Sequence, residues 1–275
     1  MHQSVFNPEL FSLLGLLLVS GAFAGLLAGL FGVGGGIILV PTLFYVFDEL
    51  GYPSEITTHL AVGTTLGTIV PTSVSSAWSY YKRGSGNMVM FRRLAIPVAG
   101  GALIGSFLAG NLNSSVLKVI FAVLSLGIAL NLFQKNNIIL GTKHPEKLKL
   151  WSIVGFIGLL SAMMGIGGGV FFTSFLTAYG FPILSAVGTS ASLGVMISFP
   201  GVIGYIYSGW GIVGLPPLSY GYFSLAGFLC IIPMTMLMAP QGAKLAHHLD
   251  KEKLKRWFAI FLLMMSIRML YKIFY

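Results

Sequence analysis

Two glycine triplets interrupt apolar stretches of this sequence, and both have the composition of a backbone site for an anion. Three glycines in a row favour unwinding of a helix, because glycine readily adopts left-handed dihedrals. A helix that restarts after such a break points free N–H groups and the positive end of its dipole into it. The alternative is that small residues only allow helices to pack closely. The candidate residues are Gly34, Gly35 and Gly36, and Gly167, Gly168 and Gly169.

A hydroxyl motif follows each triplet. The sequence reads AVGTT at 61–65 and AVGTS at 186–190. Hydroxyls donate to an anion without adding a permanent buried charge, although they can instead bond to a carbonyl of their own helix. The candidate binding residues in these motifs are Thr64, Thr65, Thr189 and Ser190.

The sequence contains few residues in the arrangements that catalysis or metal binding requires. No pair of acids lies near the centre of an apolar block, and the histidines lack metal-ligand spacing. Cys230, the single cysteine, excludes an internal disulfide. We therefore expect no enzyme activity, no cofactor and no metal site. His59, close to the first hydroxyl motif, is either an interfacial histidine or a proton-coupling group.

The composition indicates a protein embedded in a lipid bilayer. Apolar residues make up 56% of the 275-residue chain, charged residues only 8%, and the mean hydropathy is +0.88. The net charge of +9 comes from bases in short loops, which is typical of membrane proteins and not of nucleic-acid binding. The N-terminus lacks the basic residues of a secretory signal, so we expect the first apolar block to be retained.

The apolar blocks predict an all-α polytopic protein with about eight to ten membrane segments, because such long blocks lack strand alternation. The two blocks that follow the triplets are too short to cross easily. The predicted segments are 10–31, 33–47, 57–81, 94–110, 115–134, 151–165, 168–180, 184–207, 220–240 and 254–274.

The two halves of the chain are predicted to be copies of one fold. GLLAGLFGVGGG at 25–36 matches GLLSAMMGIGGG at 158–169, and the hydroxyl motifs follow in the same order. A third match pairs Gly105 with Gly242. The predicted organisation is a first transmembrane repeat over 1–134, a cytoplasmic linker over 135–150 and a second repeat over 151–275.

Charge predicts that these repeats are inverted. Loop 82–93 carries four bases whereas its counterpart, 208–219, carries no charge; loop 111–116 is uncharged whereas its counterpart, 243–256, is basic. Because basic loops face the cytoplasm, the copies should lie upside down relative to each other.

At these motifs the chain resembles the TauE/SafE family of sulfite-exporter-like permeases. The resemblance rests on GLLAGLFGVGGGIILVPTL, AVGTT, GLLSAMMGIGGGVFF and AVGTS, and it covers both copies in order. It implies a bacterial or archaeal inner-membrane permease with seven to nine spans for sulfur-containing anions. It also implies that the glycine triplets, Thr64 and Thr189 are the motif positions. Pro41, where the second copy has Ser174, predicts imperfect symmetry.

The function expected from these observations is secondary transport. A small anion, such as sulfite, thiosulfate or an organosulfonate, would bind between the breaks and cross the cell membrane by alternating access. The lipid bilayer and a coupling proton or ion are the other expected partners, and no nucleic acid is expected. A channel-like anion pore and a membrane subunit that scaffolds an enzyme remain alternatives. The sequence does not predict an oligomeric state.

Overall fold

A computed structural model describes residues 8–133, 146–246 and 248, together with six single positions between 259 and 271. Most of the predicted linker and nearly all of the last predicted segment lie outside these residues. A helix begins at Lys147, within the range of the predicted linker.

The described residues form nine helices and one minimal hairpin. The first half contains α1 (Pro8–Phe31), α2 (Gly36–Glu49), α3 (Ser54–Lys82), α4 (Met88–Gly110) and α5 (Ser114–Phe133). The second contains α6 (Lys147–Met164), α7 (Gly169–Ala178), α8 (Ile183–Ser208), β1 (Ser219–Tyr220), β2 (Phe223–Ser224) and α9 (Leu225–Leu245).

The hairpin is the one departure from the predicted all-α fold. Ser219 pairs with Ser224, and Tyr220 pairs with Phe223, in antiparallel register. The turn between them is possible because Gly221 has a φ of +54°. The apolar block predicted to begin at 220 therefore becomes helical only at Leu225.

Side-chain caps start two equivalent helices, α4 and α9. The Asn87 side chain accepts the Met90 N–H at 2.9 Å, and the Ser224 hydroxyl accepts the Gly227 N–H at 3.2 Å. Such caps satisfy backbone donors that a helix leaves free in its first turn. The caps thus fix where both helices begin.

Within the described residues, four helices are long and apolar enough to cross a membrane. These candidate spans are Ser12–Phe31, Met88–Gly110, Ile183–Ser208 and Leu225–Leu245. Helix α3 is longer, at 29 residues, but its many hydroxyls lower its hydropathy. Those hydroxyls are mostly buried, so α3 is a central helix of the fold.

The long helices form two groups, each with its members running in parallel. In the first group, Gly21, Gly25 and Gly29 of α1 lie against successive turns of α9. A Cβ on Gly25 would lie 2.5 Å from the Thr235 carbonyl oxygen. These three glycines therefore allow α1 and α9 to pack closely. Helix α3 runs along α9 in the same direction, with Thr64 near Ser224 and Ser75 near Met236.

Helices α4, α6 and α8 form the second group in the same way. Gly101 and Gly105 of α4 lie against Gly155 and Leu159 of α6. Helix α8 follows α4 in parallel, since Thr189 bonds to Asn87 near one end and Gly204 lies against Ser106 near the other. In the predicted repeat, the helix pairs of this group would correspond to those in the first group.

Helices α3 and α8 join the groups and run antiparallel. Along α3, Gly63, Leu66, Ser73 and Tyr80 meet residues of α8 that descend in number. Their partners are, in the same order, Tyr205, Gly201, Gly194 and Gly188. The antiparallel pair is buried along most of its length and forms the centre of the molecule.

The two ends of the helix bundle differ in charge. At one end, Leu30, Tyr80, Val187 and Ala243 cluster, which places the C-terminal ends of α1, α3 and α9 together. This basic end also has Lys82, Arg83 and Lys244 in the terminal turns of α3 and α9 or next to them. At the acidic end, Asp48, Glu49 and Glu55 lie where α2 ends and α3 begins.

Candidate functional site between the two helix breaks

Both glycine triplets break a helix, as the sequence predicts. Helix α1 ends at Phe31 and α2 starts at Gly36, while α6 ends at Met164 and α7 starts at Gly169. Gly34 and Gly35 have φ values of +74° and +79° in the first break. Gly168 has a φ of +67° in the second. A side chain would strain these positions, so the breaks depend on glycine.

The two breaks contact each other at the centre of the molecule. A Cβ on Gly36 would overlap the carbonyl oxygen of Gly165, and one on Gly169 would overlap that of Gly32. A Cβ on Gly167 would lie 3.0 Å from the Val33 carbonyl oxygen and 3.4 Å from the Gly34 Cα. Four of the six triplet glycines therefore contribute to one shared junction, which we call the break junction (32–36 with 165–169). Close packing and helix breaking are both roles of these glycines.

The N-termini of α2 and α7 open onto the break junction without side-chain caps. Gly35 and Gly168 are their N-cap residues, and neither has a side chain that could accept a hydrogen bond. The first-turn N–H groups of a helix have no acceptor within it. Two partial positive charges therefore meet at the junction.

Three buried hydroxyls on the surrounding helices have no hydrogen-bond partner among the described residues. Thr65, Ser73 and Ser161 are at most 1% exposed, and their oxygens are unpaired. The Ser73 oxygen lies 3.4 Å from the Cβ position of Gly34, and the Ser161 oxygen lies 3.1 Å from that of Gly168. Each break thus has an unsatisfied hydroxyl beside it.

The sequence motifs predict only some of these three hydroxyls. Thr65 belongs to the predicted set, and Ser73 lies in repeat register with Ser198. Ser161 was missed, because the repeat places Ala28 at the equivalent position and so gives no paired signal.

Thr64 and Thr189 lie in equivalent structural bonds. The Thr64 hydroxyl accepts the N–H of Ser224, the N-cap of α9, at 2.9 Å. The Thr189 hydroxyl accepts the N–H of Asn87, the N-cap of α4, at 3.1 Å, and donates to the Ser185 carbonyl at 2.7 Å. Each threonine therefore ties a central helix to the start of a helix in its own group.

Ser190 is also engaged. It accepts a bond from the Thr173 hydroxyl at 3.1 Å, which joins α8 to α7. Its counterpart Thr65 is unpaired, so the repeats are not perfectly symmetric here. Of the predicted hydroxyls, Thr65 alone combines burial with a free oxygen.

Two equivalent tyrosines secure the chain just before each break. Tyr80 donates to the Gly29 carbonyl at 2.8 Å, and Tyr205 donates to the Met163 carbonyl at 3.3 Å. Both side chains are fully buried. They hold the C-terminal turns of α1 and α6 against α3 and α8.

Charged side chains are nearly absent from the buried region. Within the described part of the chain, the buried cation Lys118 lies 4.8 Å from the Phe44 ring centroid. No cluster of histidine, cysteine or acids suited to a metal ion occurs among those residues. The polar groups at the break junction are therefore backbone N–H groups and hydroxyls, which can donate to a small oxyanion, together with carbonyls, which only accept.

Comparison with known proteins places the whole chain in one family. The family model for the sulfite exporter TauE/SafE matches residues 17–269. A probable membrane transporter protein of Haemophilus influenzae is 35% identical over 268 residues, covering 96% of this chain and 100% of that protein. One from Methanocaldococcus jannaschii is 29% identical over 237 residues, 84% of this chain and 83% of its own.

A third relative, the probable membrane transporter protein YunE of Bacillus subtilis, is 28% identical over 214 residues, 70% of this chain and 78% of its own. No solved structure matches the chain. The resemblance seen in the glycine and hydroxyl motifs is confirmed over nearly the full length, and the chain is a multi-pass membrane protein that belongs to the sulfite exporter TauE/SafE family of membrane transporters.

Proposed function

We propose that this protein is a secondary carrier that moves a small sulfur-containing oxyanion, such as sulfite, thiosulfate or an organosulfonate, across the cell membrane. The observation that carries the proposal is the break junction. Two uncapped helix N-termini meet there beside the unpaired hydroxyls of Ser73 and Ser161. In a bilayer, irregular backbone persists only where protein or a cavity surrounds it, and such breaks bind transported ions.

The donor set favours an anion with several oxygens. Backbone N–H groups and hydroxyls donate, and an oxyanion accepts several such bonds without needing a buried lysine or arginine. The family description names sulfite, which fits this chemistry. We assign the anion site to residues that the sequence motifs predict and to two further serines. The predicted members are Gly34, Gly35, Gly36, Thr65, Gly167, Gly168 and Gly169, and the further serines are Ser73 and Ser161. Thr64, Thr189 and Ser190 lie outside this site and hold the surrounding helices in place through their hydrogen bonds.

Inverted repeats supply the means of switching access. Helix α8 is the repeat counterpart of α3, and the two run antiparallel through the centre. An antiparallel pair of equivalent helices is what an axis in the membrane plane would generate. The break junction lies between the two parallel groups, so rocking one group against the other would open it to alternate sides. The basic end would face the cytoplasm.

Counterflow in proteoliposomes tests this function. Vesicles containing the purified chain are loaded with unlabelled sulfite, thiosulfate, methanesulfonate or acetate, and uptake of the same labelled anion is followed. A carrier should give saturable, transient accumulation of the labelled sulfur anions that depends on the internal anion, with acetate weaker. Unsaturable flux that follows voltage alone would indicate a pore, and no flux of any of the four would contradict the proposal.

A further inference from the structure

His59 is a buried titratable group that the anion site does not use. It lies in the second turn of α3, at the acidic end, and is 2% exposed. Its ring stacks on that of Tyr222, in the hairpin connection, with 4.8 Å between centroids. Buried histidines are rare enough in membrane segments to indicate a function.

Both ring nitrogens of His59 face backbone carbonyl oxygens. The Nδ1 lies 3.2 Å from the Glu55 carbonyl, whereas the Nε2 lies 3.2 Å from the Ala109 carbonyl and 2.9 Å from that of Leu112. A carbonyl oxygen can only accept, so each nitrogen must carry a proton to bond. Neutral imidazole has one N–H, and only the imidazolium has two.

Two features of the surroundings favour the same cation, although burial of the ring opposes it. Ala109 is in the last turn of α4 and Leu112 follows it, so their carbonyls belong to the negative end of that helix. The Tyr222 ring face also attracts a cation. Because burial opposes charge on the ring, the cation depends on its hydrogen bonds to the carbonyls, which a movement of α3 relative to α4 would break.

No charged side chain of the described residues contacts the ring. The neighbouring titratable groups are Tyr222 in the hairpin and Tyr205 on α8, whose hydroxyl bonds to Met163. Lys118 on α5 lies over Phe44, and the Glu55 side chain is exposed. In the described structure, the hydrogen-bonding and ring contacts of His59 are those with the three carbonyls and the Tyr222 ring.

We propose that His59 is the proton-binding site that couples transport to a proton gradient. The protonated ring joins α3 in one helix group to the end of α4 in the other, and so holds the acidic end closed. When the proton leaves, one nitrogen presents a lone pair to a carbonyl, which loosens that contact. The coupling rests on the carrier function proposed above, whereas proton binding by the ring does not.

The proton site is tested directly by NMR of the full chain in lipid nanodiscs with ¹⁵N-labelled histidine. The signal that disappears in His59→Gln should show two protonated nitrogens at acid pH and only one at about pH 8. His248→Gln, at an exposed histidine, serves as the matched control for assignment. A His59 ring that keeps one protonation state throughout would overturn the inference.

Transport then tests the coupling, with ³⁵S-methanesulfonate as probe because its charge is constant over this pH range. Wild type and His248→Gln should show counterflow at equal pH and net uptake that responds to a pH gradient. His59→Gln should keep counterflow and lose the response. Gradient-dependent uptake that survives in His59→Gln, or that is absent in wild type despite counterflow, would refute coupling through His59. Loss of wild-type counterflow would instead count against the carrier function, and the NMR titration would still decide the proton site.

Discussion

At the residue scale, the buried hydroxyl groups are of two kinds: some bond within the protein and stabilise the fold, and others are unpaired and could bind a ligand. An unpaired buried hydroxyl costs about 1–3 kcal/mol of stability, so it persists where function needs it. Ser73 and Ser161 fit this description, since they are buried, unpaired and next to the breaks. Ser198, the repeat counterpart of Ser73, instead donates to the Gly194 carbonyl at 2.7 Å.

Ser73→Ala and Ser161→Ala should each raise thermal stability while weakening transport. Removing an unpaired hydroxyl relieves a desolvation cost, but a donor to a charged ligand contributes about 1.5–3 kcal/mol, or roughly 10- to 150-fold in affinity. Differential scanning fluorimetry and counterflow KM would measure both effects. Ser198→Ala is the control and should keep affinity; equal transport in all three variants would remove the serines from the site.

Thr64→Val and Thr189→Val should act mainly on stability. Each change leaves the N–H of an N-cap residue, Ser224 or Asn87, without its acceptor, at a cost of about 1–3 kcal/mol. Both unfolding temperatures should therefore fall. Thr42→Val is the control, because the Thr42 hydroxyl donates only to the Ile38 carbonyl of its own helix. Unchanged stability with lost anion affinity would return both threonines to the binding site.

At the scale of helices, much of the architecture follows from sequence patterns. The triplets predict the two breaks, and the hydrophobic blocks predict the helices, because both signals are local. The contact between Gly36 and Gly165 is not predictable in this way, because it depends on how α1 and α6 meet. The hairpin at 219–224 is not predicted either. Its aromatic residues run on into the apolar block of the helix that follows, so composition does not distinguish the hairpin with its turn at Gly221 from the start of that helix.

The breaks themselves should not tolerate alanine. At Gly35, with φ +79°, a Cβ would lie 2.6 Å from the Ala24 carbonyl oxygen, and at Gly168 it would overlap the Ile197 side chain. Left-handed dihedrals alone cost alanine about 1–2 kcal/mol. Gly35→Ala and Gly168→Ala should therefore lower both the unfolding temperature and transport.

Gly100→Ala in α4 is the matched control, since nothing lies within 4 Å of its Cβ position. An ordinary helix gains about 0.8–1 kcal/mol from this change, so stability should hold or rise. If Gly35→Ala or Gly168→Ala behaved like Gly100→Ala, continuous helices would replace the breaks.

At the scale of the whole molecule, the proposed transport mechanism requires two oppositely oriented halves that share the break junction. The pairs α1–α9 and α6–α4 are equivalent, as are α3–α9 and α8–α4, so each repeat packs its helices against the other repeat. Bases at one end and acids at the other fit a single orientation in the membrane. The matched motifs predict a duplication, whereas the parallel grouping of the helices is visible only in the tertiary contacts.

Sided labelling of two equivalent loops tests this inversion most directly. Ser85→Cys lies between α3 and α4, and Val213→Cys, at a residue that is 93% exposed, lies in the equivalent connection after α8. Each is placed in a Cys230→Ser background and treated in intact cells and in inside-out vesicles with an impermeant maleimide. The account predicts that Cys at 213 is labelled only in cells and Cys at 85 only in inverted vesicles. Labelling of both positions from the same side would make the repeats parallel and contradict a carrier built from inverted halves.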